Sequence, residues 1–461
     1  MTVDAPAKYV FQAKVGEAYP KAVASKGNYI TVEDPATKET KVLLDAMTGA
    51  AVGALGHGDA EIVEEMKKAA ANSTYTYGAY YSNYAAEELA KFIVDHSPSG
   101  AFAAALFTGS GSEANENAMK ICYQYHLEKN EPQRVKFIGR KQAYHGYTIG
   151  SLSLGHGPRR TIFQEILCKD ENFPKVSQCY PYRNMKEGET VAEYSARLVQ
   201  ELDDTFVANG PETVGGVIME TVGGSTFGTS PPVPGYLDGV KKVCEKYGAL
   251  LIIDEVMCGM GRCGTLHAWE QFMDNSNGPD LQSIGKTLGS GFVTLAGLLI
   301  SPKVKKVYDE GSGFIAGAQT YHCHDFNCKV GLAVQKKVAR DNLVANVKET
   351  GTYMADGFKK ALAESKIVGD IRGVGTFWSI EFVKDKATKE PFDPKLDVGH
   401  MIQDLCTKNG ITSMGMQGTI DGKNGDHITV APAFIFTKED ADIIIKAMVD
   451  AVTEAESILL A

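Results

Sequence analysis

The middle of the chain alternates short apolar runs with longer amphipathic stretches. Short runs rich in branched aliphatic residues, bounded by glycine, proline or polar residues, predict β-strands. Between two of these runs, apolar residues recur at helical spacing over 236–247 and Gly248 follows, which predicts a helix and its end. Strands alternating with helices are typical of a largely parallel sheet covered by helices. The predicted strands are residues 105–108, 135–139, 214–220, 249–254 and 295–300.

The pattern changes beyond about residue 302. Long helical patterns lead to a strand-like run and a lysine- and aspartate-rich loop, and the chain closes on an amphipathic helix. We interpret this part as a second, α+β domain, completed by the first residues of the chain. The predicted segments are 1–58 and 303–461 for the small domain and 59–302 for the large domain, with helices at 329–343, 347–365 and 438–459, a strand at 375–382 and a loop at 384–395.

The composition limits the partners and the cellular location to be expected of the protein. The formal net charge of the 461 residues is −10, which argues against nucleic acid as the main partner, since phosphate contacts require a basic face. No apolar stretch has the length needed to span a bilayer, so no membrane partner is expected. The first residues lack a basic region followed by an apolar one, so we expect no secretory signal and a cytoplasmic protein.

The nine cysteines are scattered and odd in number, which favours reduced thiols over a disulfide framework. One segment, 322–328, contains two histidines, an aspartate and two cysteines and suggests a metal site. Zinc sites usually need a second ligand pair at a defined spacing, and none stands out downstream. We therefore interpret the segment as a loop near an active site and predict no metal.

Residues 108–118 read Thr-Gly-Ser-Gly-Ser-Glu-Ala-Asn-Glu-Asn-Ala. A strand runs into a turn of small residues, and a helix is predicted to begin near Ser112, which can cap it. Free backbone N–H groups at such a terminus form a phosphate cradle. The spacing fits neither nucleotide phosphate loops nor dinucleotide-binding motifs, which disfavours a nucleotide-binding protein. A tight strand-to-helix turn without a ligand is the alternative interpretation.

Two further residues suggest chemistry. Asp254 follows four apolar residues, at the carboxyl end of a predicted buried strand, where α/β sheets bind ligands. Lys286 lies between an apolar strand and a glycine-rich turn, and a lysine withdrawn from water becomes a Schiff-base nucleophile. Taken singly, the aspartate can be a helix cap and the lysine a surface charge. Phosphate cradle, buried aspartate and lysine together are the parts of a pyridoxal 5'-phosphate (PLP) site.

These motifs resemble those of the class III aminotransferases, a branch of the fold-type I PLP enzymes. The resemblance covers nearly the whole chain, and its motifs are Gly109–Glu116, Tyr144-His145-Gly146, Asp254–Val256 with Gly259–Gly264, Gly285-Lys286 and Thr320-Tyr321. It implies an α/β fold of type I, with a mostly parallel seven-stranded sheet in a large domain and a smaller α+β domain built from both chain ends. It also implies a homodimer with composite active sites.

The resemblance assigns roles to individual residues. Lys286 would hold PLP and shuttle a proton, and Asp254 would pair with the protonated pyridine nitrogen. Tyr144 would stack on one face of the ring and Val256 on the other. The remaining expected cofactor contacts are His145, Glu220, and the phosphate ligands Ser110, Gly111, Ser112 and, from the partner subunit, Thr320.

The sequence departs from the family at substrate-binding positions. Many relatives carry a carboxylate-binding arginine just before the final proline motif, but residues 427–432 here contain none, and Tyr147 stands where some relatives have another arginine. Arg159 and Arg160 are candidate substitutes, although their interpretation as surface charges is favoured. The tyrosine-rich stretch 75–84 is interpreted first as packing and dimer contact.

The resemblance implies a class III transaminase that moves an amino group from an amine or amino acid donor to a keto acid or aldehyde acceptor in two half-reactions. A racemase, aminomutase or decarboxylase on the same fold is the nearest alternative. A catalytically silent PLP-binding homologue is the non-enzymatic one, and the retained Lys286 and Asp254 speak against it.

Overall fold

The computed structural model describes residues 9–274 and 278–460, so the expectation about the first residues of the chain lies outside the described range. Three sheets are formed. Their strands are β1 (Lys21–Lys26), β2 (Tyr29–Glu33), β3 (Thr40–Leu44), β4 (Ala104–Thr108), β5 (Lys136–Arg140), β6 (Lys175–Val176), β7 (Val214–Glu220), β8 (Leu250–Glu255), β9 (Leu281–Ile284), β10 (Ala296–Ile300), β11 (Val368–Val374), β12 (Phe377–Phe382), β13 (Met414–Gln417) and β14 (Asp426–Val430).

Helices cover the sheets and connect their strands. They are α1 (Thr48–Ala51), α2 (Ala60–Asn72), α3 (Tyr84–His96), α4 (Gly111–Glu128), α5 (Ile149–Leu154), α6 (Pro158–Thr161), α7 (Pro181–Asn184), α8 (Val191–Asn209), α9 (Tyr236–Tyr247), α10 (Pro302–Glu310), α11 (Asp325–Arg340), α12 (Leu343–Ala361), α13 (Val398–Lys408) and α14 (Lys438–Leu459). Short 3₁₀ turns lie at Gln164–Ile166, Asp170–Asn172, Pro211–Thr213, Ala268–Gln271, Lys286–Leu288 and Pro394–Leu396.

The central sheet has seven strands in the order β4-β10-β9-β8-β7-β5-β6. Strands β9, β8, β7, β5 and β6 pair in parallel, whereas β10 runs antiparallel to both its neighbours. Strands β7 and β8 are buried along their whole length, as expected of strands covered on both faces. The predicted mostly parallel seven-stranded sheet is confirmed.

The small sheets are antiparallel and use both ends of the chain. Leu44, at the end of β3, forms a parallel bridge with Ile411, and its side chain packs in one buried cluster with residues such as Phe382 and Met448. The amino-terminal residues thus share an apolar core with the carboxyl-terminal ones. The limits at residues 58 and 302 remain predictions.

Several other elements lie close to their predicted positions, whereas the helix predicted at 347–365 spans Leu343–Ala361. The predicted strand 214–220 and the helices 236–247 and 438–459 have the predicted bounds. Helix α11 starts at Asp325, four residues before the predicted start at 329, because the His324 side chain accepts from the Asn327 N–H and caps it. All nine cysteines are unpaired. Within the described residues, no helix has both the length and the apolar character needed to cross a membrane.

Candidate active site

A cavity of about 160 Å³ lies at the carboxyl ends of β7 and β8, next to the first turn of α4. In α/β sheets this edge is the usual ligand site. Most of the predicted site residues meet there. The cavity is lined by Gly111, Ser112, Asn115, Tyr144, His145, Gly146, Glu220, Val222, Ser225, Asp254, Val256, Met257, Cys258 and Lys286.

Lys286 follows the last residues of β9 and has a backbone φ of 45°, in the left-handed region. That conformation costs a non-glycine residue about 1 kcal/mol and is typical of functional positions. Withdrawal from water lowers the pKa of the Lys286 ammonium to about 8, and the positive charges of Arg262 and Arg159 add to this effect against the opposing Asp254. An amine with this pKa is a competent Schiff-base nucleophile near neutral pH.

Asp254 is held as a carboxylate by its neighbours. Its Oδ2 accepts hydrogen bonds from Asn115 Nδ2 at 2.8 Å and from His145 Nδ1 at 2.8 Å, and its Oδ1 accepts from the Val256 N–H at 3.0 Å. Burial alone would raise the pKa of Asp254, but these donors, with His145 the strongest, lower it. Because a carboxylate has about four acceptor positions, one remains for a cationic N–H in the cavity.

At the start of α4, the helix backbone comes close to Val256. Gly111 is the first residue of α4, and a Cβ on it would lie 2.6 Å from Val256 Cγ1. The prediction that Ser112 caps the helix is wrong, because Ser110 caps it by accepting from the Glu113 N–H at 3.3 Å. Ser112 Oγ instead accepts from the Tyr147 N–H at 2.9 Å. The first-turn amides of α4 are the kind of groups that bind an anion, and the phosphate cradle stays a prediction.

Glu220 ends β7 and pairs in register with Asp254 at the end of β8. Burial raises the pKa of the Glu220 carboxyl. Its Oε2 has no hydrogen-bond partner, and Arg140 Nη2 lies 3.9 Å from it. The cavity therefore holds a carboxyl group that is free to accept a hydrogen bond from a ligand.

Two predicted phosphate ligands do not line this cavity. Ser110 is exposed and serves as the helix cap, and Thr320 is exposed on the loop before α11. The Thr320 carbonyl accepts a hydrogen bond from Tyr75 Oη at 3.1 Å. Their roles toward a phosphate stay predictions.

Asn115 is a site residue that was not among the predicted ones. It is buried, and its amide donates both to Asp254 and to the His145 carbonyl, at 2.6 Å. Its position four residues after Gly111 places both on one face of α4, the face turned toward β8. This four-residue spacing was the sequence signal that could have identified Asn115, although it is hard to recognise among the neighbouring polar residues.

Residues of the segment 322–328, which was considered as a metal site, make structural hydrogen bonds. The Cys323 N–H donates to the Phe107 carbonyl, and His324 caps α11. No group of three or more histidine, cysteine, aspartate or glutamate side chains suited to hold a metal ion occurs in residues 9–274 and 278–460.

The model of the family "Aminotransferase class-III" matches residues 12–452. The chain belongs to the class III aminotransferases. An uncharacterized aminotransferase of Schizosaccharomyces pombe is 39% identical over 98% of this chain and 96% of its own length. Gamma aminobutyrate transaminase 3 of Solanum lycopersicum is 32% identical over 91% of this chain and 79% of its own.

A solved structure of the omega transaminase from Pseudomonas jessenii in complex with PMP is similar to this class III aminotransferase. The TM-score is 0.87, with 25% identity over 96% of this chain and 94% of the other. The family transfers amino groups with PLP, and the cavity fits that cofactor. Asp254 presents a carboxylate for a protonated ring nitrogen, Lys286 an amine for the aldehyde, and α4 an anion cradle.

Proposed function

We propose that this class III aminotransferase carries PLP on Lys286 and moves an amino group in two half-reactions, from an amine or amino acid donor to a keto acid or aldehyde. The observation that carries the proposal is one cavity that brings together Lys286, with its pKa lowered to about 8, and Asp254, held as a carboxylate by Asn115 and His145.

Bound PLP supplies an electron sink that makes the substrate Cα–H bond acidic. With PLP held in the cavity, the Lys286 amine would be the base that takes this proton. A pKa of about 8 lies much nearer to neutral pH than that of an ordinary lysine, which suits a group that must both accept and return a proton. Lys286 would then return the proton to the cofactor carbon that held the aldehyde.

Asp254 keeps the ring nitrogen protonated. A buried carboxylate without a cation is costly, so the site favours a positively charged partner. Because His145 and Asn115 both donate to Oδ2, the Asp254 carboxylate is fixed in orientation. Tyr144 and Val256 line the same cavity and would contact the two faces of a flat ring.

The phosphate would lie at the first turn of α4, beside Gly111 and Ser112, with Ser110 and the partner's Thr320 near it. This arrangement requires a homodimer. The exposed aromatic side chains of residues 75–81 and 314–321 support it, because exposed apolar patches mark interaction surfaces. They include Tyr75, Tyr80, Tyr81, Phe314 and Tyr321.

The donors are expected among ω-amino acids and amino acids. The similar Solanum lycopersicum protein is named for gamma aminobutyrate, an amine with a distant carboxylate. 4-Aminobutyrate and L-alanine are therefore the first donors to try, with pyruvate as the acceptor.

The test is a half-reaction on the purified holoenzyme. The yellow absorbance of bound PLP should bleach with an active donor and return with pyruvate, and the matched Lys286→Ala variant should do neither. A band that persists with every donor while the Cα hydrogen of L-alanine exchanges with solvent would favour a racemase instead. Absence of any band after addition of PLP would contradict the proposal.

A further inference from the structure

The two neighbouring arginines of α6, Arg159 and Arg160, have different surroundings. Arg160 donates to Gln164 Oε1 at 2.5 Å and pairs with Asp170. The guanidinium carbon of Arg159 lies 4.8 Å from the centroid of the Tyr144 ring, and Tyr144 lines the cavity that holds Lys286. Within the described residues no carboxylate pairs with Arg159, which is exposed.

From this geometry we infer that Arg159 is the residue that binds the carboxylate of the amino donor and of the keto acid acceptor. The inference rests on the proposed transfer at Lys286 and adds its substrate class, namely amines that carry a carboxylate. An arginine presents a planar fork of donors that matches a carboxylate bidentately. Stacking on Tyr144 orients this fork in the cleft next to the cavity, and Tyr144, His145 and Gly146 line both spaces.

Other arginines around the cavity are already engaged. Arg140 is buried and donates to the Glu220 carbonyl at 2.8 Å. Arg262 is buried and donates to the carbonyls of Pro432 and Gly53. Neither can reach a substrate without abandoning a buried hydrogen bond, whereas Arg159 loses only water.

Strand β14 contains no arginine or lysine. Strand β14 carries His427 and Thr429, which are buried and hydrogen-bonded to Thr419 and Ser379. The narrow cleft that holds Arg159 is also lined by Arg160, whose charge is paired with Asp170, and by uncharged residues such as Tyr144 and Gln417. Of the described residues that line this cleft, Arg159 carries the positive charge that has no carboxylate partner.

Arg159 also acts on Lys286. Its charge contributes to the lowered pKa of the lysine, so the guanidinium is within electrostatic range of the reacting amine. A substrate carboxylate bound to Arg159 would partly neutralise that charge. A donor tethered in this way can present its amino group to Lys286.

The test compares Arg159→Gln with Arg160→Gln, a matched control on the same short helix. Each holoenzyme is assayed in the half-reaction with 4-aminobutyrate and with butylamine, which has a methyl group in place of the carboxylate. Loss of a charge-assisted pair predicts that Arg159→Gln raises KM for 4-aminobutyrate roughly 10- to 100-fold more than it raises KM for butylamine. Arg160→Gln should keep the wild-type ratio, and Arg159→Lys should recover part of it.

Binding is measured separately with pentanoate, a carboxylate that has no amino group. Its Kd, from the perturbed absorbance of bound PLP, should rise by a similar factor in Arg159→Gln. Equal losses for 4-aminobutyrate and butylamine, or unchanged binding of pentanoate, would overturn the inference. If no donor bleaches the wild-type band but pentanoate binds in an Arg159-dependent way, the transfer reaction fails while the carboxylate site stands.

Discussion

Asn115 donates a hydrogen bond of 2.8 Å from its side-chain amide to the Oδ2 atom of Asp254. The contact joins the first turns of α4, where a phosphate would bind, to the strand end where a ring nitrogen would bind. One amide thus sets the relative position of two ends of the same cofactor. The Asn115 Nδ2 group also donates to the His145 carbonyl, so both of its protons are used, while its buried Oδ1 accepts from none of the described residues.

Replacement of Asn115 should therefore weaken the cofactor site. Asn115→Ala removes one donor to a buried carboxylate, which costs about 1.5–3 kcal/mol and corresponds to a roughly 10- to 100-fold higher Kd for PLP. Titration of the apoprotein with PLP, followed by absorbance, measures this. Asn117→Ala is the matched control, because Asn117 donates to the Glu113 carbonyl on the same helix and should leave the Kd unchanged.

The pH dependence of cofactor attachment should report Lys286. Since the pKa of Lys286 is lowered to about 8, the unprotonated fraction rises about tenfold between pH 7 and pH 9 and then levels off. The rate at which apoprotein reacts with PLP should follow that curve. Because Arg159 contributes to the lowering, Arg159→Gln should move the midpoint to higher pH. A rate that keeps rising beyond pH 10 would indicate an ordinary lysine.

The composite site can be tested by mixing two inactive dimers. If Thr320 serves the partner's cavity, a hybrid of Lys286→Ala and Thr320→Ala subunits contains one site with both wild-type residues. Activity should therefore reappear when the two variants are unfolded, mixed and refolded together. If each Thr320 serves its own subunit, or if the chain sediments as a monomer, no activity is recovered.

Arg372 is predicted to act on stability alone. It is buried in β11 and donates to Glu381 Oε2 at 2.7 Å and to Asp370 Oδ2 at 2.9 Å. Arg372→Met leaves the buried Glu381 short of a partner and should lower the free energy of unfolding by about 3 kcal/mol in urea denaturation. Arg340→Met, at an exposed ion pair with Glu61, should change it far less. Equal effects would contradict this role.

The sequence predicted the sheet and its helices well, because hydrophobic periodicity is strong where elements are buried, as in β7 and β8. It also placed Lys286 and Asp254 at the ligand edge of the sheet, where both line one cavity, and their roles toward the cofactor stay predictions. The start of α11 was missed because residues 324–327 are polar or aromatic and carry no periodic signal.

Pairings across the fold were harder to predict. The left-handed φ of Lys286 could not be predicted from the sequence, whereas a glycine at such a position would have suggested it. Arg159 and Arg160 are adjacent and chemically identical, so only three-dimensional contacts separate the one over Tyr144 from the one paired with Asp170. Substrate contacts of this kind depend on where loops meet, which local patterns do not encode.

The most direct test of the account is to locate the cofactor on the chain. Reduction of the holoenzyme with borohydride makes the bond between PLP and its lysine permanent, and peptide mass spectrometry then identifies the modified residue. We expect the pyridoxyl group on the peptide that contains Lys286, and no modification in the Lys286→Ala variant. A pyridoxyl group on a different lysine, or stoichiometric modification that persists in Lys286→Ala, would contradict the assignment of this cavity.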